Sequence, residues 1–212
     1  MLKSAFKKGL EAAGPRVAGV ATRVEDVRLS PLSGRGEVSG LFVGSPEGFR
    51  AGSVMEIGRA IVVARPTTFL SEKLVIRSVR VEEAIVTYET KLGGSNLAAI
   101  ERAIAETLGA GRERSNGGEP RRLQVDEFVI SGGRVRVALT ALGGKGAIRN
   151  LPEIRMTDLG VEGQGITPGE LAHEVVREIV RATAGVVGEA ALDIGGRLDR
   201  AKEGVKKVFG GE

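Results

Sequence analysis

The chain of 212 residues contains no cysteine and no tryptophan, and it has only one tyrosine, six phenylalanines and one histidine. The absence of cysteine excludes disulfides, thiol catalysis and cysteine-based metal sites. The single histidine, His173, has no partner at metal-ligand spacing, so we predict a surface ion pair for it. Because aromatic rings are scarce, the core is built from aliphatic side chains. We predict no cofactor.

Long apolar runs are also missing. The longest are far shorter than the roughly 20 residues that span a bilayer, and the lysines near Met1 precede no apolar segment of a signal peptide. The formal net charge is +4. Basic and acidic residues are nevertheless interspersed, so we expect no nucleic-acid partner. Two interpretations remain open: an ordinary solvated surface, or attraction to anionic lipid head groups.

Glycine, in contrast, is abundant at 32 residues, and the stretch from Gly34 to Gly40 resembles a phosphate-binding loop. Such a loop needs Gly-x-Gly-x-x-Gly opening a helix, because the phosphate binds the N–H groups of the helix N-terminus. Here the spacing is Gly-x-Gly-x-x-x-Gly, and residues 37–43 follow with a strand pattern. We therefore predict that these glycines shape the turns and bulges of a curved sheet.

The spacing of apolar residues predicts three helices. The first covers residues 2–13 and ends at Gly14-Pro15. The second covers 95–109, and the third begins at Thr167-Pro168 and breaks near its glycines. We divide the chain into a sheet domain, 1–166, that includes the first two helices, and a long amphipathic helical region, 167–212.

Alternating apolar and polar residues predict strands over most of the sheet domain. Three segments are each interpreted as a β-hairpin, namely 23–43, 74–90 with a bend near Glu82-Glu83, and 123–142 with a turn at Gly132-Gly133. The predicted class is α+β, with a long, curved, mainly antiparallel sheet of stacked hairpin repeats. An N-terminal, a middle and a long C-terminal helix cover it.

Four short elements carry a family resemblance: Ser-Pro-Leu-Ser-Gly at 30–34, Pro-Glu-Gly-Phe at 46–49, Leu-Gly-Gly-Ser-Asn at 92–96 and Thr-Asp-Leu-Gly at 157–160. With these elements in this order, the chain resembles the small bacterial AsmA-like proteins over about residues 8–175. The resemblance implies a membrane-associated envelope protein with an elongated sheet. Larger relatives are associated with carrying lipid along a hydrophobic groove, and no catalytic residue can be transferred.

Members of that family usually begin with a transmembrane helix that leads into a segment similar to residues 6–20 of this sequence. Here Met1 lies just upstream of that segment, where the family has its transmembrane helix. The resemblance therefore implies a periplasmic protein associated with the inner membrane if such an anchor was removed, and otherwise a cytoplasmic one.

We predict a non-enzymatic protein that binds or conducts lipid, or another apolar molecule, along a hydrophobic groove of the sheet. The predicted lining residues are Val27, Leu29, Val38, Leu41, Val43, Ile76, Val79, Val81, Ile85, Phe128, Ile130, Val135 and Val137. The alternative is a structural or assembly module. It would form a homo-oligomer or bind a partner envelope protein through its strand edges or its C-terminal helix.

The end of the C-terminal helix is predicted to lie on an anionic membrane surface or to fold over the groove, with ordinary packing as the alternative. The residues concerned are Lys202, Val205, Lys206, Lys207 and Phe209.

Overall fold

A computed structural model describes residues 2–91, 93–110, 121–138 and 147–209, with side chains up to residue 188. It has three α-helices, one short 3-10 turn and a sheet of nine strands. The elements are α1 (Leu2–Val17), β1 (Thr22–Ser30), β2 (Arg35–Gly44), β3 (Ser53–Ala64), the turn Pro66–Thr68, β4 (Lys73–Lys91), β5 (Gly94–Ser95), α2 (Asn96–Gly109), β6 (Arg122–Ser131), β7 (Arg134–Ala138), β8 (Ala147–Asn150), β9 (Ile154–Leu159) and α3 (Pro168–Phe209).

The sheet is open and mostly antiparallel, with strand order β1-β2-β3-β4-β6-β9. Strand β7 continues the line of β6 beside β4, and β8 pairs with β7. Among the described residues, the parallel pairs are β4 with β6 and β4 with β7. A parallel pair needs a crossover connection, and α2 lies in that connection. The predicted α+β class with a curved, mainly antiparallel sheet is confirmed.

Of the three predicted hairpins, only the first is correct. Strands β1 and β2 form an antiparallel pair around the turn that ends at Gly34. The second segment is instead one strand of 19 residues, β4. The third is also no hairpin, since β6 and β7 both run parallel to β4 and the chain keeps its direction through Gly132-Gly133. The pattern misled because a local irregularity inside one strand looks like a turn between two.

That irregularity is a crease, which we define as the transverse line where the side-chain alternation slips by one residue. The cross-strand registers align one position of each strand along it. In chain order these are Glu25, Gly40, Gly58, Glu83 and Gly132-Gly133. The backbone has φ of 61° at Gly40, 56° at Glu83 and 62° at Gly132. The cross-strand register continues through the crease without a shift, so all the strands slip by the same one residue and stay paired on both sides of it.

The same face of the sheet is apolar both before and after the crease. In each of the first four strands, two residues three positions apart pack in the apolar clusters, where a regular strand would use residues two apart. These pairs are Val24 and Val27, Val38 and Leu41, Ile57 and Ala60, and Val81 and Ala84. The glycine-rich segment therefore bends strands, as predicted, and opens no helix.

Helix α1 is longer than predicted, because it continues through Gly14-Pro15 to Val17. Pro15 removes one N–H donor from the helix, but the next turn still closes, with Ala18 N donating to Gly14 O at 2.9 Å. A Cβ atom at Gly14 would lie 1.7 Å from Thr22 Oγ1. The glycine therefore lets α1 approach the start of β1 instead of ending the helix.

Helix α3 begins as predicted and runs through most of the predicted helical region. Thr167 Oγ1 accepts from Glu170 N at 3.1 Å, and Glu170 Oε2 accepts from Thr167 N at 2.7 Å, which is a capping box. The predicted break is wrong, because the helix is continuous from Pro168 to Phe209. Each interior glycine costs about 1 kcal/mol relative to alanine, which weakens a helix without ending it. Within the described residues, no helix is long and apolar enough to span a membrane.

The three helices cover the apolar face of the sheet and form two hydrophobic clusters with it. The larger cluster joins strands β3, β4, β6, β7 and β9 with α2 and α3, and includes Ile104 at 2% and Ile179 at 1% exposure. The smaller cluster joins β1 and β2 with Leu10 of α1. Burying one such aliphatic side chain contributes about 1.5–3 kcal/mol. Leu41 and Ala60 contact both clusters.

Candidate functional site: the apolar face of the sheet

Twelve of the thirteen predicted groove residues lie on the apolar face, in one of the two clusters. Eight of them are buried in the core: Val27, Val38, Ile76, Val81, Phe128, Ile130, Val135 and Val137. The other four are half-buried on the same face: Leu29, Leu41, Val43 and Val79. The alternation therefore identified the correct face, but most of these residues build the core and only the half-buried four retain exposed surface.

The thirteenth residue, Ile85, was assigned to the wrong face. Its neighbours Ala84 and Val86 are each 1% exposed and belong to the larger cluster. Successive side chains of a strand point to opposite faces, so Ile85 points away from the core. The crease at Glu83 is the cause. Regular alternation from Val79 and Val81 would place Ile85 on the apolar face, but the alternation shifts by one residue at Glu83, which has a positive φ.

The covering of the apolar face is uneven. Helix α1 packs along β1, α2 packs on β4, and α3 packs on β7, β8 and β9. Where β4 pairs with β7 the face is deeply buried, with Val86 at 1% and Val135 at 0% exposure. Between α1 and the other two helices runs a half-buried region that we call the β2–β3 strip. It consists of Leu41, Val43, Met55, Ala60 and Val62.

Three of these strip residues, Met55, Ala60 and Val62, were absent from the predicted lining. Strand β3 lies outside the three predicted hairpins, and the predicted lining contains only residues of those hairpins. The signal was available, because Ile57 and Ala60 flank Gly58 with the same spacing of three that occurs on either side of Gly40.

The strip runs between the two ends of the sheet. The Leu32 end is formed by the turn at Leu32, the loop between β3 and β4, and the segment after β9. The Asn96 end is formed by the loop between β2 and β3 and by the connection from β4 to α2. At the Asn96 end α1 contacts α2, and Val17, Ala18 and Val20 join the cluster of Leu97. The helices therefore close the strip at that end.

At the Asn96 end, a buried asparagine holds the start of α2 on β4. Asn96 is 0% exposed. Its Oδ1 accepts from Glu89 N at 3.0 Å and from Leu97 N at 2.9 Å, and its Nδ2 donates to Thr87 O at 2.7 Å. Every one of these bonds joins the side chain to backbone, so Asn96 has a structural role.

A second contact at the same end fixes the loop between β2 and β3. Both carboxylate oxygens of Glu89, which is 3% exposed, accept from Arg50 N, and Oε2 also accepts from Ala51 N at 2.7 Å. Lys91 Nζ donates to Gly48 O at 3.4 Å and lies 4.2 Å from the ring centroid of Phe49. The element at 46–49 thus contacts Lys91, the last residue of β4, in a structural contact.

The opposite, outer face carries charge. Arg59 Nη2 donates to Glu37 Oε2 at 2.9 Å, and Arg59 Nη1 lies 3.8 Å from Glu82 Oε2. The hydrogen bond from Arg59 is the main reason why the pKa of the Glu37 carboxyl lies below its ordinary value. The same bond raises the pKa of Arg59. Ion pairs of this kind stabilise a solvated surface only slightly.

Both edges of the sheet carry features that hinder pairing with another strand. Along β1, Glu11 Oε1 of α1 accepts from Val24 N at 3.2 Å, and Lys7 Nζ donates to Glu25 O at 3.0 Å. Along the other edge, Pro152 separates β8 from β9. The assembly alternative through strand edges stays a prediction.

No group of three or more acidic or histidine side chains that could hold a metal ion occurs in the described part of the chain. His173 is half-buried on α3, and its ion pair stays a prediction. The side chains predicted to face a membrane at the end of α3 lie outside the described residues. A scan against protein-family models and a search of curated proteins each found no match to this chain.

Proposed function

We propose that the protein binds an apolar molecule, with lipid as the expected class, along the β2–β3 strip, and that it does so without catalysing a reaction. The observation that carries the proposal is the uneven cover of the apolar face. The face is deeply buried where β4 pairs with β7, at Val86 and Val135, whereas five apolar side chains of β2 and β3 keep part of their surface exposed.

The shape and chemistry of the strip suit an alkyl chain. Ligand sites are mostly apolar and concave, and the strip lies between α1 on one side and the helices α2 and α3 on the other. At its Leu32 end stands Gly36, where a Cβ atom would lie 3.3 Å from Leu29 Cδ2. The residue with no side chain leaves Leu29 room to lie across β2.

The family resemblance supports the same class of ligand. It favours a protein of the cell envelope, on the periplasmic side of an inner membrane, where an apolar strip would exchange molecules with a bilayer. Attraction of the basic end of α3 to anionic lipid, at Lys202, Lys206 and Lys207, belongs to the same proposal. Replacing these three lysines with glutamate is expected to weaken vesicle binding without emptying the strip.

The first experiment is extraction of the purified protein with organic solvent, followed by mass spectrometry against a mock purification. We expect phospholipid or another apolar molecule in stoichiometric amount. An empty extract from folded protein, together with no uptake of added phospholipid, would contradict the proposal. Light scattering over a range of concentrations would then test the assembly alternative, which predicts oligomers.

A matched pair of variants connects a bound lipid to the strip. Val62 and Ile61 are consecutive half-buried residues of β3 that point to opposite faces. The change Val62→Phe adds bulk to the strip and is expected to lower the lipid content, whereas Ile61→Phe adds the same ring to the outer face and is expected to leave it unchanged. Thermal unfolding of both variants checks that each is folded. Equal lipid content in the two variants would place the lipid elsewhere.

A further inference from the structure

Two leucines are fully exposed at the Leu32 end. Leu32 has 96% and Leu70 has 101% of its surface exposed, far more than the half-buried side chains of the strip. Leu32 lies in the turn between β1 and β2, and Leu70 lies in the loop between β3 and β4. Single exposed apolar residues are ordinary on a protein surface, so it is the shared end of the sheet and the charges around the two leucines that indicate a role in binding.

Both leucines stand on loops that the backbone holds in place. Arg121 Nη2 donates to the carbonyl oxygens of Thr68, Phe69 and Ser71 at 2.7, 2.7 and 2.9 Å, and so encloses the loop of Leu70. The turn of Leu32 is joined to the same loop, because Ala64 N donates to Gly34 O at 2.8 Å. The two loops therefore form one preformed surface, and little conformational entropy is lost when it binds.

The charge around the leucines is positive. The turn at 30–36, the segment 64–73, the segment 160–167 after β9 and Arg121 together carry four cations and two acids, so their net charge is +2; the cations are Arg35, Arg65, Lys73 and Arg121, and the acids are Glu72 and Glu162. Arg35, Arg65 and Arg121 are exposed. Apolar side chains at the tip with basic residues behind them match the arrangement of a bilayer surface, where anionic head groups surround the acyl chains.

We propose that the Leu32 end docks on an anionic phospholipid surface, with Leu32 and Leu70 inserted among the head groups and the surrounding cations bound to phosphate. This surface lies at the opposite end of the sheet from the closed Asn96 end and is separate from the basic end of α3. Docking does not depend on the strip, since vesicle binding can be measured whether or not the protein carries lipid.

The absence of tryptophan makes a direct test possible with the full-length chain. The single variants Leu32→Trp and Leu70→Trp place one fluorophore at each tip, and Ile148→Trp places one at another exposed apolar position, 57% exposed on β8. We expect a blue shift of the emission at positions 32 and 70 on adding vesicles that contain phosphatidylglycerol, and none at position 148. Phosphatidylcholine vesicles are expected to give a much smaller shift.

Vesicle sedimentation gives the affinity. Replacing both leucines with serine is expected to lower the partition coefficient tenfold or more, since burying one leucine side chain accounts for about tenfold or more by itself. Ile148→Ser is expected to change nothing, and Arg35→Glu with Arg65→Glu is expected to remove the preference for the anionic lipid.

Three results would overturn the proposal. The first is wild-type vesicle binding by the double serine variant, and the second is an equal blue shift at position 148. The third is a blue shift at position 32 that grows with protein concentration without vesicles, because a second copy of the chain would then be the occupant of this surface.

Discussion

Replacement of Asn96 with alanine tests the contact that holds α2 on β4. The substitution removes three hydrogen bonds at a site with 0% exposure and leaves Glu89 N, Leu97 N and Thr87 O without their partner. A buried polar group left unsatisfied costs about 1–3 kcal/mol. Leu97 N is at the first turn of α2, where water can replace the lost acceptor. We therefore expect a loss of about 3–5 kcal/mol in the free energy of unfolding.

The assay is urea unfolding followed by far-ultraviolet circular dichroism. The midpoint should fall while the slope stays the same, because the surface exposed on unfolding is unchanged. The matched control is Asn150→Ala, at an exposed position of β8, and its stability should stay within about 0.5 kcal/mol of wild type. Equal stability of Asn96→Ala and wild type would refute the reasoning, as would an equal loss in the control.

A second variant separates the one hydrogen bond that Asn96 donates from the two that it accepts. Asn96→Asp keeps an oxygen near Glu89 N and Leu97 N but places another oxygen against Thr87 O. Burial and that carbonyl both raise the pKa of the introduced carboxyl. Its protonated form can donate to Thr87 O, so the variant should gain stability relative to wild type as the pH falls. Constant relative stability between neutral and acidic pH would contradict this assignment of the side-chain atoms.

Three further predictions use the same unfolding assay. Gly34→Ala should lower the free energy of unfolding by at least about 2 kcal/mol, because φ is +69° and the new Cβ would lie 2.1 Å from Ala64 O. Gly132→Ala has a similar φ of +62° but open space around the new Cβ, so it should cost about 1 kcal/mol. Equal losses in the two variants would contradict the contact with Ala64. The hydrogen bond from Arg59 keeps the pKa of Glu37 below its ordinary value of 4.5, so its contribution is complete above pH 4.5 and is lost as the pH falls through the folded-state pKa. The stability difference between wild type and Glu37→Gln should therefore shrink below pH 4.5, and a difference independent of pH would count against it. Thr167→Ala removes the cap of α3 and should cost about 1 kcal/mol; an unchanged midpoint would show that the cap contributes nothing.

Local signals in the sequence predicted the elements that depend on local chemistry. Either Ser95 or Asn96 suits the start of α2, and Ser95 is its cap, with Oγ accepting from Ala98 N at 3.2 Å. Thr167-Pro168 opens α3 as predicted. Gly34 lies in the turn between β1 and β2, with a positive φ that favours glycine. These features need only neighbouring residues, so they can be recognised without knowing which strands pair.

Prediction failed where the outcome depended on distant partners. The segments around Glu83 and Gly132 were interpreted as turns, although each is part of a crease that exists only because five strand positions align in register. The same slip placed Ile85 on the wrong face. Likewise, Gly14-Pro15 looked like a helix end, but the close approach of Thr22 gives that glycine its role.

By itself, the sequence determined which side chains are apolar, where the backbone can adopt positive φ, and that cysteine chemistry is excluded, since each of these is a property of single residues and their neighbours. The tertiary structure decided that β4 lies parallel to β6, that Val86 of β4 and Val135 of β7 are buried, and that Val43 of β2 and Val62 of β3 stay half-exposed. Burial depends on which helix packs on which strand. That packing is set by contacts between residues far apart in the chain, and the alternation of a single strand carries no record of them.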